Sequence, residues 1–326
     1  MKKAGIRDVA LRAGISTATV SHVLNNTRFV SEGTKQRVLD SIKELNYSPN
    51  EMARSFKTGK KHLIGFIVPD ITNDYYSSII DGIECVINPY GYRLVIANTK
   101  ETVEKELDNL SALSNGIVDA VIIASTLESY SPIKKIVPSD IPVLCIDRTV
   151  PDCPYSTITV ANYDAMYRGV THLINKGHRK IAYITGLMRL STTSDRLSAY
   201  KAALADSNIP LDISLVRYCT SLKDDAYQQM ESIIESGCTA IIASNNVMAN
   251  DVLSYLYDNH ISIDKDICVL GYNESKRNLF ALNYMNYISQ PVSSIGKLAG
   301  EQILSLIKNP AQPIKQTILE ASFKHR

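Results

Sequence analysis

From His62 to Leu319, short apolar runs alternate with amphipathic stretches of helical period, and that alternation leaves only a few α/β designs open. Leu63-Ile64-Gly65-Phe66-Ile67-Val68 is apolar throughout, as expected of a strand buried on both faces of a parallel sheet. The pattern then predicts a helix over 74–88, a strand over 93–97, a helix over 103–114 and a strand over 120–124. A short helix near Ile133 and a strand over 142–146 close the first cycle. Beyond a loop containing Pro151 and Pro154 the cycle restarts, with helices over 163–176, 194–207, 224–236 and 247–259. Strands over 180–185, 215–219, 240–243 and 267–270 lie between them. Two doubly wound lobes with a cleft between them follow from this reading. A helix over 293–308 and a strand near 317–319 are left to return to the first lobe.

The first sixty residues differ in texture. Ile6, Val9, Ala10 and Ala13 fall on one helical face, and Gly14 suits the left-handed turn that ends a helix. Ser16 is a natural cap for a second helix, whose Val20, Val23 and Leu24 renew the apolar face. Its other side carries Thr17, Ala18, Thr19, Ser21, His22 and Asn25, a small and nearly uncharged surface. Such a surface can exchange hydrogen bonds with base edges in a major groove. A third helix opening at Ser31 or Glu32 turns Val38, Ile42 and Leu45 inward. Pro49 breaks the period, and Asn50 caps a segment over 51–57 that is too short for a stable isolated helix. That segment is expected to order on DNA beside a second copy. Residues 1–60 hold eleven Lys or Arg against five Asp or Glu, and the remainder holds 24 against 28. A basic head on a mildly acidic body matches what phosphate contacts require.

Several function classes lack support. There is no apolar stretch of signal-peptide or membrane-span length, so a cytoplasmic protein is expected. Cys85, Cys145, Cys153, Cys219, Cys238 and Cys268 show neither metal-ligand nor redox-pair spacing, and they read as reduced thiols, mostly in the core. No phosphate loop, dinucleotide fingerprint or nucleophile elbow is present. His172, His178 and His260 lie on or beside amphipathic helices, where a structural role outweighs catalysis. No enzyme and no cofactor are expected.

What remains is a binding cleft. In open α/β sheets ligands sit beyond the carboxyl ends of strands, which selects the loops at 70–76, Asn98, Ser125, Asp147-Arg148, 190–196, Ser221, 244–246 and Asn273. Tyr75 and Tyr76 would offer a flat wall to a sugar ring or a base, with Asp147 and Arg196 forking to hydroxyls. Asn73, Arg148, Thr192, Ser221, Asn245, Asn246, Asn273 and Gln290 complete the candidate set.

The chain resembles the lactose/galactose repressor (LacI-type) family of bacterial transcription regulators along essentially its whole length. The motifs are Asp8-Val9-Ala10 with Gly14 to Leu24, Arg37-Val38, Ile42-Lys43-Glu44-Leu45-Asn46-Tyr47-Ser48-Pro49-Asn50 and Ala53-Arg54-Ser55. Val68-Pro69-Asp70-Ile71-Thr72-Asn73, Gly177-His178-Arg179-Lys180-Ile181, Arg196-Leu197 and Gln290-Pro291 continue them in order. The resemblance implies an all-α helix-turn-helix DNA-binding domain over 1–48 and a hinge over 49–61. It further implies an α/β two-lobe domain over 62–326, like periplasmic binding proteins, with doubly wound parallel sheets. The N-lobe would take about 62–160 plus 291–319, and the C-lobe about 161–290 plus 320–326, the chain crossing between them three times.

By that resemblance Thr17, Ala18 and His22 face bases, a set similar to the purine repressor branch. Phe56 stands where a leucine usually wedges into the minor groove, with Ala53 on the groove floor and Arg54 and Lys57 near phosphate. Sugar-responsive members often carry an acid where Ala161, Asn246 and Asn273 stand. Their absence beside Arg148 and Arg196 points to an effector with its own negative charge. The expected function is a homodimeric, effector-controlled transcription regulator, a repressor, on roughly palindromic double-stranded operator DNA, with a sugar or sugar derivative as effector and no membrane association. The alternatives are a sugar-binding protein with no DNA role and a sugar or nucleoside hydrolase on the same scaffold.

Overall fold

The computed structural model describes residues 4–25, 27–48, 59–221, 224–274 and 278–325. The chain forms two compact units, Met1–Lys61 and His62–Arg326.

In the first unit, helix Ile6–Ala13 starts where Gly5 N donates to Asp8 Oδ2 at 2.7 Å. It stops at Gly14, whose φ of 66° is the left-handed turn expected there. Helix Thr17–Asn25 follows, opened by Ser16 Oγ, which accepts from Thr19 N at 3.1 Å. Helix Glu32–Glu44 then covers both, and Val9, Ala10, Ala13, Val20 and Val38 are buried together as a small core. Arg12 and Glu44 join the first helix to the third at 2.7 Å. Both side chains are more than half exposed, so this bond adds little beside the apolar core. Residues 49–58 of the expected hinge, with Asn50, Ala53, Arg54, Phe56 and Lys57, lie outside the described residues.

The second unit holds two six-stranded sheets. The first runs β2 (Arg93–Asn98), β1 (Leu63–Val68), β3 (Ala120–Ile123), β4 (Val143–Ile146), β5 (Ser156–Val160) and β11 (Gln316–Leu319), all parallel. The second runs β7 (Val216–Tyr218), β6 (Ile181–Thr185), β8 (Ala240–Ala243), β9 (Cys268–Tyr272), β10 (Asn286–Ser289) and β12 (Ser322–Lys324). Only β12 is antiparallel in that sheet, against β10. In each sheet the chain order reverses once, between β1 and β3 and between β6 and β8, which creates a crevice at the carboxyl ends of those strands.

Three strands went unread in the sequence. β5 alternates hydroxyl and apolar side chains, and β10 and β12 are four and three residues long. The chain passes between sheets after β5, after β10 and between β11 and β12. Helix Ser191–Asp206 begins three residues before the expected helix, and a short helix, Leu279–Tyr284, was not expected.

Helix Asp74–Ile87 packs on helix Val292–Lys308 with backbone nearly touching backbone. A Cβ on Gly296 would lie 2.5 Å from the Ile79 carbonyl oxygen and 2.8 Å from Gly82 Cα. Among the described residues no helix is long and apolar enough to cross a membrane.

Candidate functional site

The carboxyl ends of both sheets face one narrow cleft, with about 50 Å³ of free interior space. Eleven of the twelve expected residues line it: Asn73, Tyr75, Tyr76, Asp147, Arg148, Thr192, Arg196, Ser221, Asn245, Asn246 and Gln290. Asn273 does not. It is buried at the end of β9, with its backbone N donating to the Ile288 carbonyl. Ser125 is likewise committed elsewhere, its hydroxyl donating to the buried Glu106 at 2.5 Å.

On the first-sheet side, Asn73 caps helix Asp74–Ile87 by accepting from Tyr75 N at 2.9 Å. That helix start places two tyrosines side by side, their rings edge to face with centroids 5.0 Å apart. Both hydroxyls donate to one carboxylate, Tyr75 to Asp147 Oδ1 at 2.8 Å and Tyr76 to Asp147 Oδ2 at 2.9 Å. Burial, with the Asp147 charge adding to it, holds both phenols well above their ordinary range, so they remain donors. Asp147 holds a left-handed φ of 65°, which aspartate tolerates better than most residues. Next to it, Arg148 Nη2 donates to Glu101 Oε1 at 2.6 Å, and both side chains are buried.

The second-sheet side is organised by Arg196, on helix Ser191–Asp206. Its Nε and Nη2 donate to Asn162 Oδ1 at 2.9 and 2.7 Å, and its Nη1 donates to the Ser244 carbonyl at 2.6 Å. The guanidinium carbon lies 4.0 Å from the centre of the Tyr272 ring. Gln290 accepts from Arg196 Nη2 at 3.4 Å and donates to Glu274 Oε1 at 2.9 Å, while the buried Glu274 Oε2 has no partner.

Among the described residues, side-chain hydrogen bonds tie one lobe to the other across the cleft. Asn246 Nδ2 donates to Asn73 Oδ1 at 2.7 Å, Thr149 N to Ser191 Oγ at 3.1 Å, and Arg189 Nη2 to the Glu101 carbonyl at 3.1 Å.

Pro69, Asp70, Glu101, Leu190, Thr193 and Ser244 also line the cleft, and sequence reasoning missed Glu101, Glu274 and Asn162 as partners of the two arginines. Glu274 follows Asn273 directly, so the same strand end could have signalled it. These acids change the expected charge balance. Arg148 is matched by Glu101, and Arg196 is engaged on two elements and an aromatic face. Glu101 offsets the Arg148 charge on which the expectation of an anionic effector leaned, while Arg148 Nε and Nη1 keep no hydrogen-bond partner among the described residues.

Burial pushes the Glu274 carboxyl up to about 7, against the opposing pull of Gln290 and Arg196. Between the ordinary glutamate value of 4.5 and 7, the folded protein keeps a proton that the unfolded chain has released, so stability falls as pH rises through that window. Urea unfolding between pH 5 and 8 is expected to show this decline, up to about 3 kcal/mol at 1.36 kcal/mol per unit, and Glu274→Gln to flatten it.

The expected DNA-facing residues differ in exposure. Ser16, Thr17 and Ala18 are exposed, while Thr19, Ser21 and His22 are half-buried. His22 Nδ1 is bonded to Thr27 Oγ1 at 2.8 Å, and Ser16 and Thr19 share a hydroxyl contact at 2.9 Å. Asn25 closes the helix, with its side chain outside the described residues.

Residues 61–326 match the family model for periplasmic binding proteins and the sugar-binding domain of the LacI family, and residues 5–50 match that for bacterial regulatory proteins of the lacI family. Over 319 residues the chain is 31% identical to the HTH-type transcriptional regulator RegA of Clostridium saccharobutylicum, covering 97% of this chain and 96% of RegA. It is 33% identical over 310 residues to the HTH-type transcriptional repressor PurR of Vibrio atlanticus, covering 94% and 92%. The Lac repressor dimer bound to operator and the anti-inducer ONPF shares the fold, with a TM-score of 0.85 at 24% identity over 100% of this chain and 98% of that one. With both units matched in order and regulators as its relatives, the chain belongs to the LacI family of bacterial regulatory proteins and is a DNA-binding transcription regulator, not an enzyme.

Proposed function

We propose that this chain is a cytoplasmic, homodimeric repressor whose hold on a roughly palindromic operator is set by a small polyhydroxyl effector in the interlobe cleft. One observation carries the reading: the cleft lies at the order reversal of both sheets, and its polar groups come from both lobes. Asp147, which lines the cleft, can accept from hydroxyls, and a ring face of Tyr75 or Tyr76 can lie against a sugar ring. A ligand touching both lobes has different affinities for open and closed forms, and only that difference can shift the equilibrium. We take residues 1–48 as the reader of DNA, 49–61 as the hinge between reader and cleft, and 62–326 as the effector domain with the lobe limits given above.

In the recognition helix, His22 would meet a base edge through Nε2, because Nδ1 is held by Thr27. His22→Ala is expected to lose about 1–3 kcal/mol on the selected operator and little on random DNA. Sequence selection from a random duplex library, followed by fluorescence anisotropy on the enriched site, measures both. Equal losses on both DNAs refute a base-reading role. Calorimetry with neutral sugars, sugar acids and sugar phosphates tests the cleft. The expected outcome is a neutral sugar that binds tightly and shifts the anisotropy curve, and binding by anionic sugars alone rejects the ligand class.

A further inference from the structure

A second hollow opens on the second lobe, with about 400 Å³ of free space against about 50 Å³ in the cleft. It lies where β6 begins at Ile181, the amino end of a strand whose carboxyl end faces the cleft. Its floor is carbon: Ile181, Tyr200, Leu204 and Leu215 are all buried there. The Tyr200 hydroxyl donates to the Ile181 carbonyl at 2.9 Å and its ring stacks on Tyr183 with centroids 4.6 Å apart, so the floor is fixed in place. The rim is cationic. Arg179 Nη1 donates to the Ile174 carbonyl at 2.7 Å and the His178 carbonyl at 3.1 Å, and Lys180 Nζ donates to the Ser236 carbonyl. Carbonyls position these two charges without neutralising them. Asp212 also lines the hollow, but its Oδ1 is held in its own turn, accepting from Ser214 N at 2.9 Å and Ser214 Oγ at 2.6 Å.

We propose that this hollow is a second ligand site, which takes a small amphipathic carboxylate with its apolar ring or chain over Tyr200 and Leu204 and its carboxylate at Arg179 and Lys180. The free space falls within the range of sites for small molecules. Two other ligand classes fit less well. A neutral sugar would press hydroxyls against a carbon floor that cannot bond them, and a small anion with no apolar body would gain only exposed charges, which are worth little alone. The carboxylate joins both contributions, since its charge-assisted bonds at the rim add to the burial of its apolar body. Helix Ser191–Asp206 runs from one site to the other. Its early turns carry Thr192 and Arg196 into the cleft, and its later turns carry Tyr200 and Leu204 to the hollow. Arg196 and Tyr200 are neighbours one turn apart on it. A guest in the hollow therefore bears on the element that holds Arg196, whatever fills the cleft.

The test titrates the full-length protein by calorimetry with 4-phenylbutyrate, indole-3-acetate and octanoate, each beside the corresponding alcohol. At least one acid is expected to bind saturably, about tenfold more tightly than its alcohol. Arg179→Gln and Lys180→Gln are each expected to weaken that acid several-fold. Because Arg179 also ties two carbonyls, thermal melting is run on both variants, and Lys180→Gln alone decides the point if the Arg179 variant melts early. With the acid bound, amide exchange is expected to slow across 204–215 and to change across 191–196 at the cleft. No saturable binding by any of the three acids, equal binding of the alcohols, or an affinity unmoved by Lys180→Gln overturns the proposal. So does slowed exchange confined to the cleft loops, which would seat the acid there. Slowing across 204–215 with no change across 191–196 overturns the link between the two sites.

Discussion

Asp147→Ala is expected to destabilise the α/β unit by about 3–5 kcal/mol, because it strands two buried tyrosine hydroxyls at about 1–3 kcal/mol each and puts alanine at a left-handed φ. For a domain of this size, that lowers the thermal midpoint by on the order of 10 °C. Asp147→Asn separates the two causes. Asparagine tolerates the backbone and keeps a carbonyl for one tyrosine, so a loss of about 1–2 kcal/mol is expected. Adding Tyr75→Phe and Tyr76→Phe to Asp147→Ala should restore part of the stability, since removing donors and acceptor together leaves fewer unmet groups. Calorimetry on the four proteins decides the matter. Equal losses for the alanine and asparagine variants, with no recovery in the triple variant, would show that the shared carboxylate does not hold the pair.

Gly296→Val is expected to cost about 3 kcal/mol or more, the upper end of overpacking penalties. Here the obstruction is the backbone of a second helix at Ile79 and Gly82, which cannot swing away as a side chain can. Forcing the helices apart loosens the packing of Ile79, Ile83, Ile295 and Ala299 along the seam. Gly296→Ala meets the same carbonyl oxygen but gains up to about 1 kcal/mol of helix propensity, so its loss should be smaller. Urea titration of both variants measures the difference. An alanine variant more stable than the parent would mean that the helices already have room to separate.

Strands buried on both faces were legible because they must be apolar throughout: β1, β3, β4 and β8 show this without a break. β5 hid because Ser156, Thr157 and Thr159 interrupt the apolar run and Pro154 stands just before it. β12 is a strand only because β10 offers it an edge, a fact that no local propensity contains. In the cleft, strand ends marked the loops, and so most lining residues, in advance. What stayed hidden were partners distant in sequence. Asn162 reaches Arg196 from 34 positions away, and Glu101 reaches Arg148 from 47.

The oxygen Oδ1 of Asn73 receives two hydrogens, one from the amide of Tyr75 in its own helix and one from Asn246 on the opposite lobe. Whatever prises the lobes apart must first unfasten an atom that also anchors the start of a helix. That anchoring is worth about 1 kcal/mol in such positions. The far stretch of the same helix is seated glycine to glycine on Val292–Lys308, so it has little freedom to yield there. Strain at that joint therefore falls on the near end of the helix, where the two tyrosines hold Asp147.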